Sequence, residues 1–310
     1  MEQRVKWPEG KRFAFSVFDD TDSANLENVR DVYAFLTDCG FRTTKSAWPV
    51  RPRDGACEGA ATCEDPDYLR WLLGIQRRGF EIGWHMATRK TSTRDETLRG
   101  LEKFSELFGH DPRSMANHAR CQENLYWGED RLSGLHRWAY RGFAGWRNRG
   151  IYRGHLVGDE LFWGDICRQR IKYVRNFDFA DINTLKHCPM MPYHDANRPY
   201  VNYWYASADG HDVRPFNRCL AEVNQDRLEE EGGACIMYTH FARGFFTEGS
   251  LNPTFRSLME RLARMGGWYV PVADLLDHLL KTRGPRTITP AERRRIERKW
   301  ILYKLTVGTT

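Results

Sequence analysis

The stretch FAFSVFDDTD, Phe13 to Asp22, sets alternating aromatic and small residues in front of two adjacent carboxylates, Asp19 and Asp20, with a third, Asp22, two positions on. It reads as a buried strand that ends in acid. Either the strand stops in a polar turn, or its end is a site where carboxylates hold a metal ion or move protons. Neighbouring side chains of an extended strand point to opposite faces. Asp19 and Asp20 can therefore share a site only if the strand has ended or twisted there. Asp22 reads as a helix or turn cap.

Working outward, the chain alternates strand-like and helix-like segments. RTTKSAWPV, FEIGWH, SMANHA, RGFAGW, ACIMYTHF and WYVPVA read as further strands. Helices are predicted between them, with capping-box spacing at Thr93 to Glu96 and Thr289 to Glu292. Such alternation implies a parallel sheet, either a barrel or a doubly wound layer. Residues 147–215 read as an irregular insertion. In parallel α/β folds the site lies at the C-terminal ends of the strands. Those ends carry Asp19, Asp20 and Asp22, then His85, His118 and His240. Carboxylate and neutral imidazole are the ligand set of a catalytic zinc or similar divalent ion, which needs about three protein ligands. His155, His187, His194 and His211, from the middle of the chain, are reserves for the third place.

Composition bounds the class. The 310 residues are 41% hydrophobic and include 17 Phe, 13 Tyr and 11 Trp, enough for one large core and an aromatic-lined cleft. No apolar run approaches the roughly 20 residues of a bilayer span, and the N-terminus lacks the apolar stretch of a signal peptide. Eight singly scattered cysteines suit reduced thiols and a cytoplasmic location. The net charge of +6 is concentrated: residues 281–304 hold nine Lys/Arg and two Glu, a balance of +7, leaving −1 for the rest. That argues against a nucleic-acid face on the main domain. The tail, residues 285–310, reads as a basic amphipathic helix, either packed on the domain or touching a membrane surface or an anionic partner.

FSVFDDTD resembles the first motif of the polysaccharide deacetylases (NodB-homology domain, carbohydrate esterase family 4), and GFEIGWHMATRKTSTRDE resembles their second. ACIMYTH resembles the late strand that ends in a catalytic His, and GGWYVPVADLLDHL the closing strand and helix. The likeness covers about residues 10–280 with the middle unmatched. It implies a distorted (β/α) barrel of about seven parallel strands over residues 1–284, followed by the basic helix. It further implies metal-dependent hydrolysis of an N-acyl group, acetyl or formyl, from a sugar. Asp19 would be the base, Asp20 and His85 metal ligands, and His240 the acid, with zinc the first candidate metal. The chain departs from the pattern at Arg89, where the second histidine of motif two is expected, at Thr21 in place of Gly, and at MANHARC, where an Arg-Pro-Pro-Tyr-Gly-like stretch is expected. His118 is the expected replacement ligand. Arg89 or Arg120 could orient Asp19 or contact substrate. Trp48, Trp84, Trp127 and Trp146 could stack on sugar faces or serve as core. The expected substrate is a cytoplasmic nucleotide- or lipid-linked glycan precursor. The alternative is a deacetylase-like domain that lost a ligand and binds a glycan or a partner protein.

Overall fold

The computed structural model describes residues 5–55, 59–119, 121–144 and 151–307. Seven strands of the ten-stranded main sheet form a ring: β1 (Ala14–Asp19), β2 (Thr44–Ala47), β3 (Glu81–Trp84), β4 (Ser114–Met115), β5 (Tyr173–Phe179), β6 (Tyr203–Asp209) and β7 (Ala234–Thr239). Each pairs in parallel with the next. The ring closes where β7 pairs with β1, from Ala14 opposite Ala234 to Asp19 opposite Thr239. The choice between barrel and open layer is thus settled as a barrel. It is uneven, because β3 and β4 share only the Trp84 to Met115 pair. Every residue of β1 is buried, as expected of a strand with side chains on one face and helices on the other.

The strand assignments differ from the sequence reading in three places. RGFAGW contributes no strand among the described residues: Arg141–Ala144 end the helix Gly134–Ala144, and 145–150, with Trp146, lie outside the described residues. A short apolar run has no period that separates strand from helix. WYVPVA pairs only through Trp268 and Tyr269, beside the start of β1 and outside the ring, after which the helix Val272–Arg283 begins. Finally, β5 and β6 come from the segment read as irregular. Their sequences, YVRNFDF and YWYASAD, carry Arg175, Asp178 and Asp209, which break the apolar pattern by which a strand is recognised.

A buried acid ties the N-terminal end of the barrel together. Glu81, at the start of β3, accepts hydrogen bonds from the hydroxyls of Thr44 on β2 (2.6 Å) and Ser114 on β4 (2.8 Å). It also accepts from the Ala273 N–H at 3.1 Å, and the Thr44 hydroxyl accepts from the Val272 N–H at 2.9 Å. These N–H groups open the helix Val272–Arg283 and have no partner within it. The barrel floor therefore caps that helix. Above it, Gly83 leaves room for the Phe18 ring: a Cβ there would meet Thr44 Cγ2 at 2.9 Å and Phe18 at 3.1 Å.

The C-terminal helix, Pro290–Val307, starts with the expected capping box between Thr289 and Glu292 and packs on the barrel. Ile296 and Trp300 are buried, and so are Arg293, Glu297 and Lys304. Glu297 accepts from Ser133 Oγ at 2.9 Å and His136 Nδ1 at 2.8 Å, while Arg293 pairs with Asp195. Arg294, Arg295 and Arg298 remain exposed. Among the described residues, no helix is long and apolar enough to cross a membrane.

Glu81→Ala strands two hydroxyls and a helix N-terminus inside the barrel, whereas Glu81→Gln keeps an acceptor. The alanine variant is expected to lose ~2–4 kcal/mol of stability and the glutamine variant clearly less, read from urea midpoints. Equal losses would rule out the capping role.

Candidate active site

The C-terminal mouth of the barrel opens into a pocket of about 330 Å³ whose walls include Asp20, Asp22, His85, His118, His240 and Arg175. The alternation argument separates the two adjacent acids. Asp19 turns outward and is completely buried, with Lys45 Nζ at 3.0 Å, the Tyr33 hydroxyl at 3.0 Å and the Phe241 N–H at 2.8 Å. Burial alone would lower the pKa of Lys45, but the facing carboxylate outweighs it and the ammonium is held charged. Asp19, expected as the base, does not reach the pocket wall. Its three donors tie β1 to β2, to the helix α1 (Leu26–Asp38) and to the chain after β7.

Asp20 turns inward and is gripped by both guanidinium nitrogens of Arg175, at 2.9 and 2.6 Å. Burial alone would raise its pKa; the charge and hydrogen bonds of Arg175 prevail and lower it. Arg175 is itself held by the Tyr238 ring, 4.1 Å away, and the Phe18 ring, 5.3 Å away. The β5 register shifts between Arg175 and Asp178, and such an irregularity re-aims side chains beside a site.

Asp22 is not the cap of α1; that role belongs to Asn25, in a reciprocal pair with Asn28. Asp22 stands instead at the centre of the mouth. Its Oδ1 lies 2.6 Å from His118 Nε2, and its Oδ2 lies 2.9 Å from His240 Nε2 and 3.4 Å from His85 Nε2. Burial would raise the carboxyl, but these imidazole contacts hold it well below the usual carboxylate range. Burial likewise opposes the charged form of His85, yet Asp20 and Asp22 together raise its pKa, while for His118 burial wins and the pKa is lowered. The chain turns sharply just after two of these residues, with Ser23 at φ 61° and Met86 at φ 66°. Left-handed backbone at non-glycine positions is strained and concentrates at sites that the surrounding fold over-determines.

The second nitrogens of two rings decide what the cluster can hold. His85 Nδ1 lies 3.1 Å from the Ala116 carbonyl and His240 Nδ1 lies 2.6 Å from the His211 carbonyl. A carbonyl only accepts, so both Nδ1 atoms are assigned the hydrogen. In the neutral ring each Nε2 then presents a lone pair to a carboxylate oxygen. That juxtaposition requires a cation between them, a second ring proton or a metal ion. Asp22, His85 and His118 bring one donor atom each to within 4.8 Å of one another, and so do Asp20, Asp22 and His240. The side chains present thus fit a divalent ion.

The remaining expected residues divide. Trp127 and Arg89 line the pocket. Trp48 is buried behind it, donating to the His85 carbonyl at 2.7 Å and lying edge-on to the His118 ring. Trp84 packs away from it, against Phe104 of the helix Arg94–Phe108. Arg120 lies outside the described residues. Of the reserve histidines only His211 borders the pocket, paired with Asp209 at 2.9 Å. His155, His187 and His194 bind elsewhere, beside Asp130, Asp181 and the Asn202 carbonyl. Arg175, Asp178, Asp209 and Lys304 were not anticipated. The available signal was the charge inside aromatic strands, since a buried Arg or Asp demands a partner.

No protein-family model matches the chain, and no curated protein sequence matches it. Among solved structures the chain superposes on a Mycobacterium smegmatis protein assigned as a polysaccharide deacetylase, with a TM-score of 0.53 and 15% identity, over 92% of this chain and 96% of that one. The fold is that of the polysaccharide deacetylases. The chain also superposes on PuuE allantoinase, with a TM-score of 0.52 and 12% identity over 90% of this chain and 93% of that one. At such identities the likeness lies in the backbone, and the chemistry must be argued from this chain's own side chains.

Glu123, on the loop after His118, is fully buried, and burial pushes its carboxyl up to about 8. The folded state therefore binds more protons than the unfolded chain between about pH 4.3 and about pH 8. This contribution to stability is complete below the lower value and is lost as pH rises through the upper one. Thermal melts from about pH 5 to about pH 8.5 should show a declining midpoint that Glu123→Gln flattens. Parallel profiles for the two proteins would exclude the buried acid as the cause.

Proposed function

We propose that this chain is a metal-dependent amidohydrolase that removes an N-acyl group, acetyl or formyl, from a sugar. The observation that carries the reading is the convergence of three imidazole Nε2 atoms on the Asp22 carboxylate. Two of those rings have their other nitrogen committed to a backbone carbonyl. Asp22, His85 and His118 would hold the ion, and imidazole with carboxylate favours zinc. A divalent ion there supplies Lewis-acid polarisation of an acyl carbonyl and lowers the pKa of water. Asp20 takes the base role that the family resemblance implies for Asp19. It is inward-facing, and Arg175 keeps it a carboxylate able to accept a proton from the attacking water. His240 donates the proton from Nε2 to the departing nitrogen, its ring fixed through Nδ1 by the His211 carbonyl. Trp127 and Arg89 border the space left for the sugar.

The seven described cysteines are all free thiols, which supports a reducing, cytoplasmic compartment and hence a nucleotide- or lipid-linked glycan precursor as substrate.

The test is zinc uptake by the metal-stripped protein, followed by calorimetry and elemental analysis, with acyl release from N-acylated amino sugars and their nucleotide-linked forms. About one equivalent of zinc is expected, lost in Asp22→Asn and His118→Ala. Asp20→Asn should keep its zinc while acyl release falls by ~100-fold or more. Unchanged zinc affinity in Asp22→Asn would sink the ligand assignment. Zinc without acyl release from any of these amides would sink the hydrolase reading in favour of a glycan-binding domain.

A further inference from the structure

Another part of the pocket wall holds a buried cation without an acceptor. Arg131 is 4% exposed and lines the pocket. Its guanidinium carbon lies 3.2 Å from the Trp127 ring centre and 5.2 Å from that of Trp300, so the two indoles hold it in place. Among the described residues, none accepts a hydrogen bond from its side chain, and its Nε is buried without a partner. Asp178 is the carboxylate whose charge acts on it most. That carboxylate is already engaged by Lys304 Nζ at 2.6 Å and by Trp300 Nε1 at 3.3 Å. Burial lowers the pKa of Arg131 only to about 10, which leaves it charged at neutral pH.

A guanidinium offers five donors in a planar fork, and burying them with no acceptor is costly. Asp209, the other carboxylate on this side of the pocket, is engaged by the Tyr303 hydroxyl at 2.8 Å and by His211 at 2.9 Å, so neither carboxylate fills the Arg131 fork. The arrangement is rigid, because Trp300 and Lys304 come from the docked C-terminal helix and Trp127 from the loop that leads into Arg131. We infer that Arg131, backed by Lys304, anchors an oxyanion, a carboxylate or phosphate group carried by the substrate beyond its acyl amide. A neutral sugar would leave the fork unfilled, whereas a bidentate oxyanion supplies both acceptors and countercharge. That the anion belongs to the substrate rests on the function proposed above. The anion site itself does not.

Anion binding is therefore measured on the metal-free, full-length protein. Inorganic phosphate and, separately, acetate are titrated against the fluorescence of the indoles that flank Arg131. A saturable change with at least one of them is expected, weakened ~tenfold or more in Arg131→Gln and less in Arg131→Lys, which keeps the charge but not the fork. The stronger of the two anions identifies the group as phosphoryl or carboxylate. Thermal melts check that both variants fold, and Arg294→Gln, on the exposed face of the same helix, should bind as the parent does. The site is overturned if neither anion gives a saturable response, if Arg131→Gln binds as tightly as the parent, or if Arg294→Gln loses as much. Loss of acyl-releasing activity with anion binding intact would overturn the enzyme reading and leave the anion site standing.

Discussion

A carboxylate facing imidazole nitrogens whose ring hydrogens are committed elsewhere, as His85 and His240 face Asp22, is stable only if something positive lies among them. Asp22 comes from the end of β1, His85 from the end of β3, His118 from beyond β4 and His240 from the end of β7, so the cluster exists only because the sheet closes on itself. The backbone carbonyls of Ala116 and His211 then fix two of the rings. With those hydrogens committed, the cluster can gather a proton or a metal ion but cannot satisfy itself. This constraint organises the rest of the mouth. The bidentate Arg175 keeps Asp20 ionised nearby without drawing Asp22 away, and Trp48 supports the His85 and His118 rings from behind.

The pair Asp19 and Asp20 shows how strand geometry separates chemically identical groups. One position of shift sends Asp19 into the layer between barrel and helices, where Lys45 neutralises it, and sends Asp20 into the barrel mouth beside Arg175. Each acid is buried and each has its own cation, so neither is free to take the other's place. Uncompensated buried carboxylates are costly, and this pairing lets the chain carry two of them at adjacent positions.

The C-terminal helix is part of the pocket and not an appendage. Read as a basic amphipathic tail, it divides its charges by face: Arg293 and Lys304 pair inward with Asp195 and Asp178, and Arg294, Arg295 and Arg298 stay in solvent. Docking brings Trp300 against Arg131 and the Tyr303 hydroxyl to Asp209 at 2.8 Å. Asp209 is held down to about 2, because its contacts with His211, Lys304 and Tyr303 overcome the burial that would raise it. The helix thereby sets the charge balance of the wall opposite its own exposed arginines.

The sequence by itself determined a parallel α/β sheet, through the alternation of segments, and the strand ends at Asp19–Asp20, His85 and His240, through apolar runs closed by polar residues, while closure into a barrel is seen only where β7 pairs with β1. It also determined the helix starts at Thr93 and Thr289, because capping is a local matter of side chain and backbone within one turn. Only the tertiary structure decided that Asp22 is the hub and not a cap, that Asp20 faces the mouth while Asp19 does not, and that β5 and β6 arise from the segment that lacked a readable pattern. The physical reason is the same in each case. A charge inside a strand breaks the apolar period on which sequence reading depends, and the partner that makes its burial tolerable lies on a distant part of the chain: Arg175 is 155 positions from Asp20, and Lys304 is 126 positions from Asp178.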